Sequence, residues 1–109
     1  MRATILLTIF VGFMLSLSAV ASDQTGSIQS VQAMNDGRVI VFMQTSRSGK
    51  PACATYDYWF IADENSNAGK TQIAMLLAAQ AAGRDVQIYG TGSCVRWVDG
   101  ENISYVKVL

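Results

Sequence analysis

Between Lys70 and Arg84 the chain carries no charged side chain, and alanine, leucine, methionine and glutamine dominate the stretch. These are strong helix formers. Gly83 stands where a left-handed C-terminal cap belongs, and Asn65, Ser66 or Asn67 can supply the N-cap. Wound at about 100° per residue, Ile73, Leu76, Leu77 and Gln80 share one face. Thr71, Met75, Ala78, Ala79 and Ala82 share the opposite one. A helix lying on a single sheet ordinarily shows charge outward, so apolar character on both sides implies cover on both sides. A small domain with one helix has no second layer of its own. The expectation is therefore that copies of the chain cover the second face for one another, through Thr71, Met75, Ala78, Ala79 and Ala82.

The remainder reads mainly as strands. Residues 26–33, 38–45, 52–61, 85–89, 94–98 and 103–109 carry the β-branched and aromatic runs, with Asn35-Asp36-Gly37 as a hairpin signal between the first two. Pro51 borders the third run, Gly90-Thr91-Gly92 marks a bend, and Asp99-Gly100 a turn. Three strands, a helix and two or three further strands give a mainly β (α+β) pattern. That order fits a five- to six-stranded antiparallel OB-fold barrel with one helix between the third and fourth strands.

Residues 1–21 read as a secretory signal peptide: Arg2 is the positive n-region, Ile5 to Leu17 the apolar h-region, and Ala19-Val20-Ala21 the cleavage site. A membrane anchor is the competing reading, set aside because the polar Ser22-Asp23-Gln24-Thr25 follows a peptidase-type site. The expected mature chain, 22–109, is a single domain, secreted or periplasmic, with no membrane insertion. Without Arg2 its 7 basic residues (8 − 1) face 8 acidic ones, a net charge of −1. With no basic cluster, nucleic acid is not an expected partner.

Cys53 and Cys94 are the only cysteines. An even count in a small exported chain reads as a disulfide, closing a loop of roughly 40 residues worth on the order of 4 kcal/mol. The chain has no histidine, which removes Ser-His and Cys-His catalysis and the commonest metal ligand. The carboxylates Asp57, Asp63, Glu64, Asp99 and Glu101 sit beside turns and read as solvated. Ala68-Gly69-Lys70-Thr71 imitates the end of a phosphate-binding loop, but Glu64 occupies the position where that motif requires glycine. Asn102-Ile103-Ser104 matches a glycosylation sequon. No enzyme, cofactor or metal site is expected.

The aromatics Tyr56, Tyr58, Trp59, Tyr89, Trp97 and Tyr105 are numerous for so short a chain. Rings beside Asp, Arg and loops are a common way to build a saccharide surface, by stacking plus directional hydrogen bonds. Trp59 and Tyr105 read better as core, whereas Tyr58 and Trp97 are candidate glycan contacts.

Taken together, Gly26-x-Ile28, Ser48-Gly-Lys-Pro-Ala-Cys-Ala54 and Leu76-Leu77-x-x-Gln80-Ala81-x-Gly83-x-x-Val86-x-Ile88-Tyr89 resemble the B subunits of AB5 toxins. The resemblance is to the subtilase-cytotoxin and pertussis-like group and covers most of the mature chain. It implies an OB-fold subunit in a pentameric ring, with helices lining a central pore, that binds host glycans, often sialylated. Thr25 falls near a sialic-acid-contacting serine of that group, Tyr89 at an aromatic contact, and Gly90 where a further contacting side chain is expected. The reading is an exported, non-catalytic ring subunit that binds cell-surface glycan and can carry a catalytic partner subunit. The alternative is a periplasmic binding or inhibitor module of the same fold with no toxin role.

Overall fold

The computed structural model describes residues 21–47 and 49–109, so the leader reading falls, apart from Ala21, outside the described residues. The strands are β1 (Asp23–Gly26), β2 (Ile28–Ala33), β3 (Val39–Met43), β4 (Trp59–Phe60), β5 (Val86–Gly90) and β6 (Glu101–Val108), with α1 (Asn67–Ala82) between β4 and β5. They form one six-stranded sheet in the order β1-β5-β6-β4-β3-β2. The fold is thus mainly β with one helix. The β4–β6 pair is parallel, with Trp59 opposite Glu101 and Phe60 opposite Asn102, and the other ladders are antiparallel. An all-antiparallel sheet was the expectation, so this pair corrects it. No ladder joins β1 to β2, although only Ser27 separates them in the chain. The two outermost strands are consecutive segments of the polypeptide.

Local signals place the turns. Met34 and Arg38 close the first hairpin, Met34 N donating to Arg38 O at 2.8 Å and Gly37 N to Met34 O at 2.9 Å. Gly37 takes φ 91°, which the absence of a Cβ permits. Ser66 is the N-cap of α1, its Oγ accepting from Gly69 N at 2.9 Å. At the other end Gly83 has φ 66°, with Gly83 N bonded to Gln80 O and Arg84 N to Ala79 O. This is a Schellman termination.

One expected strand forms only near its end and another does not form. Residues 52–58 turn instead of extending, with Ala54 N donating to Pro51 O and Thr55 N to Cys53 O, and only Trp59–Phe60 pairs. Residues 94–98 are held as a loop because the Asn102 side chain takes their donors: Val95 N and Arg96 N both donate to Asn102 Oδ1, at 2.6 and 3.3 Å. A strand needs those N–H groups for its ladder. The Cys53–Cys94 disulfide is present and joins these two irregular segments, with Cα atoms 6.0 Å apart.

The core gathers Val41, Trp59, Ile61, Leu76, Val86, Ile88 and Ile103 between sheet and helix. Helix α1 packs against β2 and β6. Its buried line is Gly69, Leu76 and Ala79, flanked by the partly buried Ile73 and Met75. Gln72 Nε2 reaches Ser104 O on β6 at 2.9 Å, and Gln80 Nε2 reaches Gln29 O on β2 at 3.4 Å. The helix is therefore turned by roughly 60° from the expected face, taking 100° per residue. Ala79 and Met75, expected on a neighbour-facing side, lie against the chain's own core, and Leu77, expected inside, is 48% exposed. The small Ala79 lets the backbone approach the sheet, and the two glutamines bond strands on either flank. What remains outward is Ala74, Leu77, Ala78, Ala81 and Ala82, an uncovered apolar stripe with Lys70 and Thr71 at its start.

Candidate functional site

The segment Tyr56-Asp57-Tyr58 leads into β4 and presents aromatic rings at the surface. Tyr56 stacks on Tyr58 with centroids 5.3 Å apart and planes 13° from parallel. Tyr58 in turn meets Phe42 and Phe60 edge-on, at 5.7 and 5.4 Å. Together with Gln29, Phe42, Met43 and Asp57 the two tyrosines line an open depression of about 270 Å³. That is just under the ~300–1,000 Å³ of sites for drug-sized ligands. Tyr56 is exposed, so one face of its ring is free. At the rim the Asp57 carboxylate accepts from Lys50 Nζ at 2.8 Å and keeps most of its surface in solvent. Burial, with the Asp99 carboxylate second and Tyr56 third, pushes the Tyr58 phenol up from its ordinary value, against a hydrogen bond with Trp97. Tyr58 therefore stays a neutral donor at neutral pH.

Beneath this surface lies a buried ion pair that the sequence reading missed. Arg47 and Glu101 side chains are both 0% exposed, and Arg47 Nη2 is bonded to Glu101 Oε1. Glu101 was expected to be a solvated turn residue; instead it begins β6 inside the molecule. Each partner is satisfied on several sides, as a buried pair requires. Glu101 Oε1 also accepts from Ser22 Oγ at 2.6 Å, and Oε2 from Gly92 N at 2.9 Å and Ser22 N at 3.5 Å. The Arg47 guanidinium lies 3.5 Å from the Trp59 ring centroid. Its Nη1 donates to the carbonyls of Asp57 and Tyr58, at 3.3 and 3.4 Å. Burial pulls the Arg47 pKa below its ordinary value, opposed chiefly by the Glu101 charge. Trp59 Nε1 donates to Gln24 Oε1 at 2.9 Å, and Gln24 Nε2 bonds Thr45 O, so β1 is tied to the same network. One arginine thus anchors the backbone that carries the aromatic depression.

The five expected glycan contacts fall in three places. Tyr58 and Trp97 belong to one aromatic group, Trp97 lying 6.4 Å from Phe60 and under the Arg38 guanidinium at 3.8 Å. Thr25 and Tyr89 point outward from the paired strands β1 and β5, apart from the depression's lining. Tyr89 stacks on Tyr105 at 4.1 Å across β5 and β6. Tyr105, expected in the core, is 51% exposed. Its phenol is pushed up, first by desolvation and then by the hydrogen bond with Tyr89. Gly90 is buried and joins neither group. The Glu101 carboxylate fills the space a side chain there would need.

The remaining motifs find structural explanations. Gly69 lies against the Asp63 carbonyl, where a Cβ would collide, so the phosphate-loop likeness reflects close packing at a helix start. Asn102 of the sequon is 2% exposed and lies out of reach of a glycosylating enzyme in the folded chain. Among the described residues no cluster of three His, Cys, Asp or Glu is placed to hold a metal, and no helix is long and apolar enough to cross a membrane. No family model, curated protein or solved structure matches the chain.

Proposed function

We propose that the chain is an exported, non-catalytic OB-fold subunit that assembles into a ring, in the manner of toxin B subunits, and binds saccharide at a cell surface. The observation that carries the binding role is the depression at Tyr56, Asp57 and Tyr58. An exposed tyrosine face offers a platform for the C–H face of a sugar, while a carboxylate and the Gln29 amide at the rim offer partners for its hydroxyls. Lys50 offsets the Asp57 charge, so the proposed occupant is a terminal hexose ring.

The barrel reading is supported by the strand order. Counting β1 and β2 as one strand bent at Ser27, the order becomes first, fourth, fifth, third, second, first, with the third and fifth parallel. Such an order runs back to its own starting strand, as a barrel does. Ring assembly is supported by the apolar stripe Ala74–Leu77–Ala78–Ala81–Ala82, which a second copy of the helix would cover. Export is supported by the form of residues 1–21, with cleavage after Ala21, and by a disulfide suited to an oxidising compartment.

Light scattering after size exclusion and a glycan array test the proposal together. The expected results are a mass near five subunits and binding to a restricted set of glycans, lost in Tyr56→Ala and retained in Tyr105→Ala. A monomer silent on the array would overturn it. A monomer whose helix stripe captures another exported protein would replace it with the inhibitor-module reading.

A further inference from the structure

Ser22 is the residue at which the proposed leader cleavage would leave the chain, and it is bonded into the buried pair by its backbone nitrogen as well as its hydroxyl. Ser22 N points at Glu101 Oε2 from 3.5 Å, and Ser22 Oγ donates to Glu101 Oε1 at 2.6 Å. From the other side Gly90 N donates to Ser22 O at 2.8 Å, so the residue is held at the first rung of the β1–β5 ladder. Ser22 is 6% exposed, whereas Ala21 before it is exposed. A scissile bond at the edge of the fold is thus followed at once by a nitrogen aimed at a buried carboxylate.

We infer that removal of the leader converts the Ser22 nitrogen into an α-ammonium that ion-pairs with Glu101, so that processing completes the buried polar centre. The inference rests on the export reading above. In the hydrolysis the Ala21–Ser22 C–N bond breaks. Water supplies hydroxyl to the Ala21 carbonyl and a proton to the Ser22 amine, and the acid proton passes to that amine, giving a carboxylate and an ammonium.

Before cleavage the centre holds one cation and one anion, Arg47 and Glu101. Arg47 is bonded through Oε1, and Oε2 receives only the two backbone N–H groups of Gly92 and Ser22. Both bonds are already assisted by the carboxylate's charge. Exchanging one neutral donor for an ammonium adds a direct attraction between opposite charges in a buried, weakly screened site. The neighbouring charges are few. Asp23 accepts from Gln87 on the outer side, and Asp57 is paired at the surface with Lys50. Arg47 is the like charge that opposes the ammonium: it donates to Ser22 Oγ itself, from Nη2 at 2.8 Å and Nε at 3.2 Å, and is also engaged by Glu101, the Asp57 and Tyr58 carbonyls and the Trp59 ring. Because the same guanidinium holds those two carbonyls, completing the centre also fixes the loop that forms the aromatic depression.

The test compares three chains: one starting at Ser22, one retaining Ala21, and the Ser22-start chain with Glu101→Gln. Intact mass of the exported protein first establishes where it begins. The readouts are the labelling rate of the α-amine near pH 7 and the thermal midpoint. The Ser22 amine is expected to label roughly tenfold more slowly than the free amine of the Ala21-retaining chain, as a shift of one pKa unit would give. Glu101→Gln should remove that protection, and the Ala21-retaining chain should melt lower although every side chain in the centre is intact. Equal rates and equal midpoints for the Ser22-start and Ala21-retaining chains overturn the ion pair. An exported protein beginning elsewhere overturns the leader reading instead. The ion pair is then judged on a Ser22-start chain released from a cleavable tag.

Discussion

The Glu101 carboxylate occupies the space that a side chain at Gly90 would fill. The two residues lie on the neighbouring strands β5 and β6, next to a register shift between Tyr89 and Gly90. Glycine at position 90 opens a space in the sheet, and the acid, held there by Gly92 N, Ser22 and Arg47, closes it. Gly90→Ala should therefore act as a lesion of the ion pair and not as a local backbone change. The expected loss is about 3–5 kcal/mol, the cost of breaking a buried pair, read from urea unfolding. Arg47→Met should cost a similar amount. If Gly90→Ala left stability unchanged, the packing of Glu101 against Gly90 would be wrong.

The two faces of α1 should separate cleanly in mutants. Leu76→Ala removes a fully buried side chain and is expected to cost about 2–5 kcal/mol, while Leu77→Ala, at a largely exposed position, should be nearly silent in the isolated subunit. Ala78→Glu should leave the fold intact and prevent the proposed ring from forming. Ala79→Glu should unfold the subunit, because Ala79 packs into its own core. Circular dichroism and light scattering on the same samples distinguish these outcomes. An Ala79→Glu protein that remained folded would refute the assigned helix rotation.

The phenol of Tyr58 gives a test in alkali. Its folded-state pKa is raised, by burial before the effect of Asp99. The stabilisation linked to that shift is present in full below the unfolded tyrosine value of about 10. It is lost as pH rises through the higher folded value. Absorbance titration should show a late phenolate component from Tyr58 and Tyr105 that is reduced in Tyr58→Phe and removed only when Tyr105→Phe is added. Unchanged titration in Tyr58→Phe would contradict the packing of the ring.

Loss of the Cys53–Cys94 bridge should be costly for a reason other than contact. The cysteines are separated by 41 residues, so the bridge restrains a long loop in the unfolded chain, by about 4 kcal/mol in the chain-entropy model. It also joins two segments that lack strand pairing. The Cys53→Ser/Cys94→Ser double variant should melt lower. Backbone exchange should rise first in 52–58 and 91–98. A uniform rise across the sheet would argue against that local role.

Neighbouring residues were enough to specify several features. The cap serine and cap glycine of α1, the turn at Asn35–Gly37 and the β-rich class follow from short-range chemistry, and the cysteine pairing from there being only two cysteines. Of the candidate depression, Tyr58 was legible as a ring beside an acid, whereas Trp97 joins the same aromatic group without lining it. Tertiary structure decided the rest. Glu101 looks like any acid after a turn until Arg47, 54 positions away, and Ser22, 79 positions away, are brought to it. Residues 94–98 look like a strand until the Asn102 amide claims their N–H groups. Likewise, the periodicity of α1 permits several burial faces, and Gln72, Gln80 and the small Ala79 select one only when strands β6 and β2 are in place. Helix caps and tight turns are satisfied within a few residues, so sequence determines them. A buried charge or a helix face depends on partners that only the folded chain assembles.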